Sequence, residues 1–465
     1  MTVEDGYAEA EAAAPAVGID LREERLRGTL FRLSIPLVAE RLSMTVINIV
    51  DAVLVGRFVG SDGVAAVGIA GLLFWLPMSG AWAVNVGATV VVARDTGGRA
   101  LDELERSVRA AVAFAVIWGL AVIAFLMPMA HLLMQLMAAR PGALDAGVDY
   151  ILVSSLGLPF QTVMSAASGC LRGVGNTRTP MIILVIANTV NALVAFLLIS
   201  GFLGLPQLGV VAAGAGFASA GFTGGVLALA VIIRGYGPLR FRPTQALRFG
   251  AKEIKRLLNI GIPVGLEELQ FMLAFLVYSR IITGLGTAAA AAHTISLRAL
   301  EIAQVPGFAL GTAGTAMVGQ FLGARLPDLA ERAGRVARNW TVLTMVTLGA
   351  VVALFAPWIV RVFVDDPEVV DIGANCLRVF ALAFPMMGVG TALSGALRGA
   401  GDVRYVLAVL TVTAWTVRIP AAFLFAHVLG LGAPGAWLGA VAEQNARGAL
   451  IWRRFNAGAW KLKEV

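Results

Sequence analysis

Charge is scarce in this chain. Of its 465 residues, 14% are charged and 58% hydrophobic, against roughly 25% charged and 45–50% apolar in ordinary soluble domains. With a mean hydropathy of +0.82, a water-soluble globule is excluded and a chain embedded in lipid is expected. Cysteine is scarcer still. Cys170 and Cys376 lie in apolar segments of different halves, match neither a disulfide framework nor a zinc spacing, and read as small packing residues. The three histidines form no metal-ligand set, and His293 in "AAAAAHTIS" is expected to pack. P-loop, nucleophile elbow, zinc spacing and dinucleotide fingerprint are all missing, so an enzyme or an ATP-driven pump has no support and no cofactor is implied. The opening "MTVEDGYAEAEAAAPAVGIDLREERLRG" carries acids where a signal peptide needs a basic start and an apolar run. Residues 1–28 read as a disordered cytoplasmic tail.

Long apolar runs are abundant. Stretches of about 20 such residues, the length that crosses a bilayer, fall near 30–55, 68–93, 108–137, 148–171, 179–201 and 208–233, then near 257–284, 287–318, 336–362, 372–397, 405–427 and 432–452. The fold class is therefore all-α, an integral membrane protein of twelve spans. The net charge of +7 does not point to nucleic acid, because the basic residues punctuate apolar runs instead of gathering on a binding module. Their placement reports orientation: 28 of the 36 Lys and Arg fall before span one, after each even-numbered span, or at the end of the chain. The opposite loops hold only Arg57, Arg140 and Arg361. Both termini are expected in the cytoplasm, with a strongly basic linker over 234–256 and a cytoplasmic tail over 456–465.

The chain repeats itself. "SGCLRGVGNTR" at Ser168 to Arg178 returns 226 residues later as "SGALRGAGDVR", Ser394 to Arg404, with seven of eleven positions identical. The same offset pairs Pro159 with Pro385, Gly97 with Gly323 and Arg106 with Arg332, and an offset of 227 pairs Pro36 with Pro263. Two copies of a six-span unit follow, an N-lobe over 29–233 and a C-lobe over 257–455. Six spans is an even number, so both copies enter the membrane in one direction, and parallel repeats place a substrate path at their interface. The repeated motif itself reads as a hairpin, its glycines permitting a tight turn and its arginine marking the cytoplasmic side.

Ionisable residues inside spans default to functional candidates. Span one holds Glu40 and Asp51, eleven residues apart and so on one helix face, with Met44 and Asn48 on the same stripe. That stripe is expected to line a cavity in which a carboxylate exchanging a small cation changes the local charge by one unit. An interfacial pair of Asp51 with Arg57 is the alternative. Asn188 and Asn191 on span five share a face and serve either as cavity lining or as interhelical glue. On span seven, Glu267 matches Glu40 in depth, with Glu268 and Gln270 following. Arg298 and Glu301 read as a structural ion pair. Arg418 lies too deep in span eleven to reach water, so a partner is expected that the sequence does not name.

Two six-span lobes, the paired "CLRGVGNTR" and "ALRGAGDVR", "NIVDAVLVGR", "AAHTI" and "TAMVGQFLGA" resemble the multidrug and toxic compound extrusion (MATE) family over residues 30–460. The resemblance implies a monomeric, multi-pass antiporter of the inner membrane, exchanging H⁺ or Na⁺ for small amphiphilic, often cationic compounds amid membrane lipid. It implies ion coupling at Asp51, with Asn188, Asn191 and Glu40 nearby and Na⁺ near Asp51 if sodium is the ion. Met44, Asn48, Glu267, Glu268 and Gln270 would then line the substrate cavity. One branch of the family has an Asp where this chain has Ala195, and another has a span-seven Glu where it has Phe271. Two rivals remain: a lipid-linked oligosaccharide flippase of the same superfamily, expected to carry cationic groups for pyrophosphate, and a membrane receptor or scaffold, which would need a docking domain larger than these tails.

Overall fold

A computed structural model describes residues 25–137, 141–242 and 250–463. Residues 1–24, most of the expected N-terminal tail, and 243–249 of the basic linker lie outside the described residues. The chain is all-helical. The first repeat comprises α1 (Leu26–Phe58), α2 (Ser61–Gly97), α3 (Leu101–Leu136), α4 (Pro141–Ser155), α5 (Leu158–Gly173), α6 (Arg178–Ser200) and α7 (Val210–Arg234). The second comprises α8 (Ala251–Thr283), α9 (Thr287–Gly323), α10 (Pro327–Arg361), α11 (Pro367–Ala381), α12 (Phe384–Gly399), α13 (Val403–Thr413), α14 (Ile419–Phe423) and α15 (Gly432–Asn456). Helices α2 and α9 are each 37 residues long and start 226 residues apart, and α4 and α11 are each 15 residues long at the same offset.

The breaks repeat as well. The fourth span of each copy bends between two helices, by 51° at α4/α5 and 56° at α11/α12, where Pro159 and Pro385 cannot donate to the preceding turn. The turn after α2 places Arg99 at φ 55° and the turn after α9 places Arg325 at φ 60°. Gly175 and Gly401, in the repeated motif, take φ 86° and 83°, a region open to glycine at no steric cost, which bears out the tight turn. The copies differ at span eleven. There α13 and α14 are separated by a π turn over Ala414–Arg418, and a second π turn covers Leu424–Val428; Pro420 lacks the N–H that an α-helical register would use.

Among the described residues, six segments are long and apolar enough to cross a membrane unaided, and counting each of three bent pairs as one span raises the number to nine. The remaining three, α1 (33 residues), α9 (37 residues) and α15 (25 residues), are long enough to cross. These three complete the twelve.

The described residues divide into two compact units, one within residues 39–265 and the other comprising residues 25–38 with 266–463. Each repeat therefore contributes the start of its first helix to the other unit. Leu26, Leu30, Leu33 and Leu37 of α1 are buried in one core with Phe321, Leu393, Leu397 and Phe455. The start of α8 packs in the unit of the first repeat: a Cβ at Gly261 would lie 3.0 Å from the Ala83 carbonyl, and one at Gly87 would lie 2.9 Å from that of Leu257. Arg256 of the same segment binds buried Asp95 at 2.7 Å. The C-terminal stretch ends docked: Trp460, in a 3-10 turn over Ala459–Leu462, is fully buried and stacks on Phe455.

Candidate functional site

In the unit of the first repeat, α1 and α6 bring Asp51 and Asn191 together. Asn191 Nδ2 donates to Asp51 Oδ2 at 3.1 Å. The other oxygen of each side chain, Asp51 Oδ1 and Asn191 Oδ1, is buried with no hydrogen-bond partner. Buried acceptors are ordinarily satisfied, whereas this hydrogen-bonded pair keeps one open acceptor on each side chain. The approach of α7 makes room for them. A Cβ at Gly216 would lie 2.4 Å from Asn191 Oδ1 and 3.0 Å from the Ala195 Cβ, so Ala195 borders this same site. No ion pair forms between Asp51 and Arg57, which is exposed. Asn188 donates to Ser43 Oγ at 2.9 Å and ties α6 to α1. Met44 and Asn48, placed on the same stripe by spacing, are both exposed and are not gathered at Asp51.

Glu40 sits elsewhere on α1, about 16 Å of helix away from Asp51, and binds Arg172. Arg172 is buried and also donates to Asn85 Oδ1 at 2.9 Å. The second repeat reproduces the pair, with Arg398 Nη2 on Glu267 Oε2 at 2.6 Å. Arg172 and Arg398 are the arginines of the duplicated motif, so both acids matched in depth are held by motif arginines across 132 and 131 residues of chain. The motif is thus more than a hairpin with a topological arginine. Its glycines also bring helices into contact: a Cβ at Gly169 would meet the Asn85 carbonyl at 2.4 Å, and one at Gly395 the Gly311 carbonyl at 2.2 Å. Small residues four apart allow such crossings, here Gly169 with Gly173 and Gly395 with Gly399.

The unit of the second repeat holds further charge. Arg418 finds its partner in Glu443 at 2.7 Å, a residue on α15 that sequence reasoning missed although Glu443 and Arg447 stand one helical turn apart. Arg447, counted among the closing cytoplasmic basic residues, lies within α15. Glu268 is half-buried and engaged, and Gln270 is half-buried with Oε1 unpartnered. His293 is buried among Phe275, Tyr278 and Trp437, with Ser279 Oγ at 3.5 Å, and packs as expected. Arg298 and Glu301 pair at 3.2 Å on an exposed surface. Cys170 and Cys376 are free and fully buried. Among the described residues no three His, Cys, Asp or Glu stand close enough to hold a metal ion.

The family model described as MatE matches residues 36–197 and again 263–424, one match to each repeat. The chain is similar to the probable multidrug resistance protein NorM of Thermotoga maritima, 27% identical over 444 residues that cover 95% of this chain and 94% of that protein. Among solved structures it resembles a MOP superfamily transporter from Pyrococcus furiosus at TM-score 0.88 and 22% identity, covering 97% of this chain and 100% of that one. It also resembles an outward-facing multidrug resistance MATE family transporter at TM-score 0.87 and 22% identity, covering 96% and 99%. At that identity the structural likeness carries the fold alone.

Proposed function

Because the chain belongs to the MatE family of membrane transporters, we propose that it is a multidrug exporter, a secondary-active antiporter that moves small amphiphilic, cationic compounds outward against an inward flow of H⁺. The reading rests on one observation, the Asp51–Asn191 pair with its two unpartnered oxygens and no ion pair to Asp51 among the described residues. Glu40 and Glu267, by contrast, already carry arginines, so the task of taking up the driving ion falls to Asp51. Protonated at Oδ1, Asp51 can donate to Asn191 Oδ1 while still accepting from Asn191 Nδ2. The exchange then turns a one-point contact with a charged acid into a two-point contact with a neutral one. A proton needs a single acceptor, whereas a hard metal cation needs a shell of oxygens, which favours H⁺ over Na⁺ as the coupling ion.

In this reading the protein acts as a monomer in the inner membrane, with both termini in the cytoplasm and substrate admitted alternately from either side. The family relatives named as multidrug resistance proteins support efflux as the direction of transport. A lipid-linked oligosaccharide flippase is the second reading, favoured by the arginines that neutralise the acids of spans one and seven. The test is dye efflux in proteoliposomes under separate pH and Na⁺ gradients. Asp51→Asn is expected to abolish pH-driven efflux while elution and unfolding temperature stay as in the wild type. Unchanged exchange in Asp51→Asn removes Asp51 from the mechanism, and efflux driven by Na⁺ alone replaces H⁺ as the ion.

A further inference from the structure

The C-terminal end of span eleven departs from its counterpart in the first repeat. There α6 runs as an unbroken α-helix over Arg178–Ser200, whereas span eleven closes in the π turn over Leu424–Val428. Inserted π turns frequently mark functional positions. This one carries His427, whose ring lies against that of Phe423 with 5.1 Å between centroids. His427 Nε2 lies 3.3 Å from the Ile281 carbonyl near the end of α8, and because a carbonyl only accepts, the imidazole donates and ties the two helix ends together. Between them lies an open groove of about 520 Å³, within the roughly 300–1,000 Å³ typical of small-molecule sites.

The groove is amphipathic along its length. Leu276, Val277 and Phe423 supply exposed apolar walls, and Arg280 and His427 supply polar ones. Arg280 stands in the last turn of α8 and His427 in the turn that ends span eleven, so both lie where these spans meet the membrane interface. Leu276 and Phe423 each precede their polar neighbour by four residues, about 6 Å deeper into the span. A headgroup therefore finds charge at the mouth, and an acyl chain finds hydrocarbon below it. The sign of that charge is also set. Arg280 is exposed and in no ion pair among the described residues, and no Asp or Glu lines the groove. An ammonium, whether of choline, of ethanolamine or of a cationic cargo, meets no counter-charge there.

We propose that this groove binds an anionic phospholipid, with the phosphate on the Arg280 guanidinium and one acyl chain along Leu276 and Phe423. A guanidinium matches phosphate with two parallel hydrogen bonds. The offset of 227 that pairs Pro36 with Pro263 pairs Arg280 with Val53, so the site is private to the second repeat and separate from the Asp51–Asn191 pair. The occupant is a membrane lipid, because the walls continue into Leu273 and Leu424, both exposed, an apolar surface of the kind that acyl chains cover. In the orientation proposed above, that lipid belongs to the outer leaflet. The site rests on the chain's crossing of the membrane and not on the antiport reading.

The test measures lipid retention and needs no ion gradient. Full-length protein in detergent micelles is offered equimolar phosphatidylglycerol and phosphatidylcholine with identical acyl chains, and the lipid retained most tightly is identified by native mass spectrometry. Phosphatidylglycerol is expected to be retained about fivefold over phosphatidylcholine, the preference that one guanidinium supplies at a membrane surface. Arg280→Gln is expected to remove that preference and Arg280→Lys to keep most of it. Arg361→Gln, which deletes an exposed cation from the last turn of α10, is expected to leave it unchanged. Val277→Trp, which fills the groove, is expected to expel the lipid whichever headgroup it bears. The unfolding temperature of the wild type is expected to rise with phosphatidylglycerol and not with phosphatidylcholine, a readout that stands even if Arg280→Gln folds poorly. Equal retention of the two lipids by the wild type overturns the proposal, as does a preference that survives Arg280→Gln or falls equally with Arg361→Gln. Retention of tetraphenylphosphonium in place of phosphatidylglycerol, lost in Val277→Trp, would make the groove a cation site and overturn it as well.

Discussion

Removing one member of the Glu40–Arg172 pair leaves the other charged and buried, with Arg172 at 5% exposure. Breaking such a pair from one side costs about 3–5 kcal/mol, whereas removing both charges is far milder. Glu40→Gln and Arg172→Gln are each expected to lower the unfolding temperature in detergent sharply, and the double variant to recover most of the loss. A double variant as unstable as the sum of the two singles would show that the residues act separately. Asp51 stands in a different position, since its neighbour is an amide and not a cation. Sequence spacing put Glu40 and Asp51 on one stripe and proposed one task for both. The contact that separates them comes from a residue 132 positions away, beyond the reach of any local periodicity.

At the scale of elements, the C-terminal 3-10 turn docks through charge as well as through Trp460. Lys461 binds Glu331 at 2.6 Å and Asp328 at 3.2 Å, outside the apolar stretch of α10. The hydrogen bond from Lys461 holds the Glu331 carboxyl below its ordinary range, and the reciprocal bond from Glu331 raises the Lys461 ammonium. A carboxylate depressed in the folded state contributes stability that is present above its unfolded value and lost as pH falls through its folded value. For the raised ammonium, the contribution is present below the unfolded value and lost as pH rises through the folded one. Docking should therefore hold at neutral pH and loosen on acidification through and below the usual carboxylate range. Hydrogen exchange at residues 459–462, corrected for intrinsic rates, is expected to report this loosening, and Lys461→Ala to flatten it; an acid response unchanged by that substitution would assign it to another group. The turns at Gly175 and Gly401 were legible from residue type and offset alone, and so was the pairing of Pro159 with Pro385, but not the bends that follow in each fourth span. The π turn holding Arg418 was not, because a local count places Pro420 without showing which register the preceding turn adopts.

For the whole molecule, the exchange of helix starts between units makes a direct prediction. A fragment ending at residue 242 lacks the stretch that places Arg256 on Asp95 and packs Gly261 against Ala83, whereas a fragment ending at 265 contains it. The longer fragment is expected to elute as a monodisperse species in detergent and to unfold at a higher temperature than the shorter; equal behaviour would mean that the start of α8 contributes nothing to that unit. Hydropathy and repeat spacing by themselves determined the class, the twelve spans and the duplication, because water and lipid sort side chains locally and an ancestral repeat leaves its register in the chain. The tertiary structure decided which acids are neutralised by arginine, where Glu443 meets Arg418, and in which unit each repeat's first helix begins. Those outcomes depend on close approach between segments more than a hundred residues apart, or between neighbouring helices whose relative rotation is set by packing, and no pattern along the chain encodes that rotation.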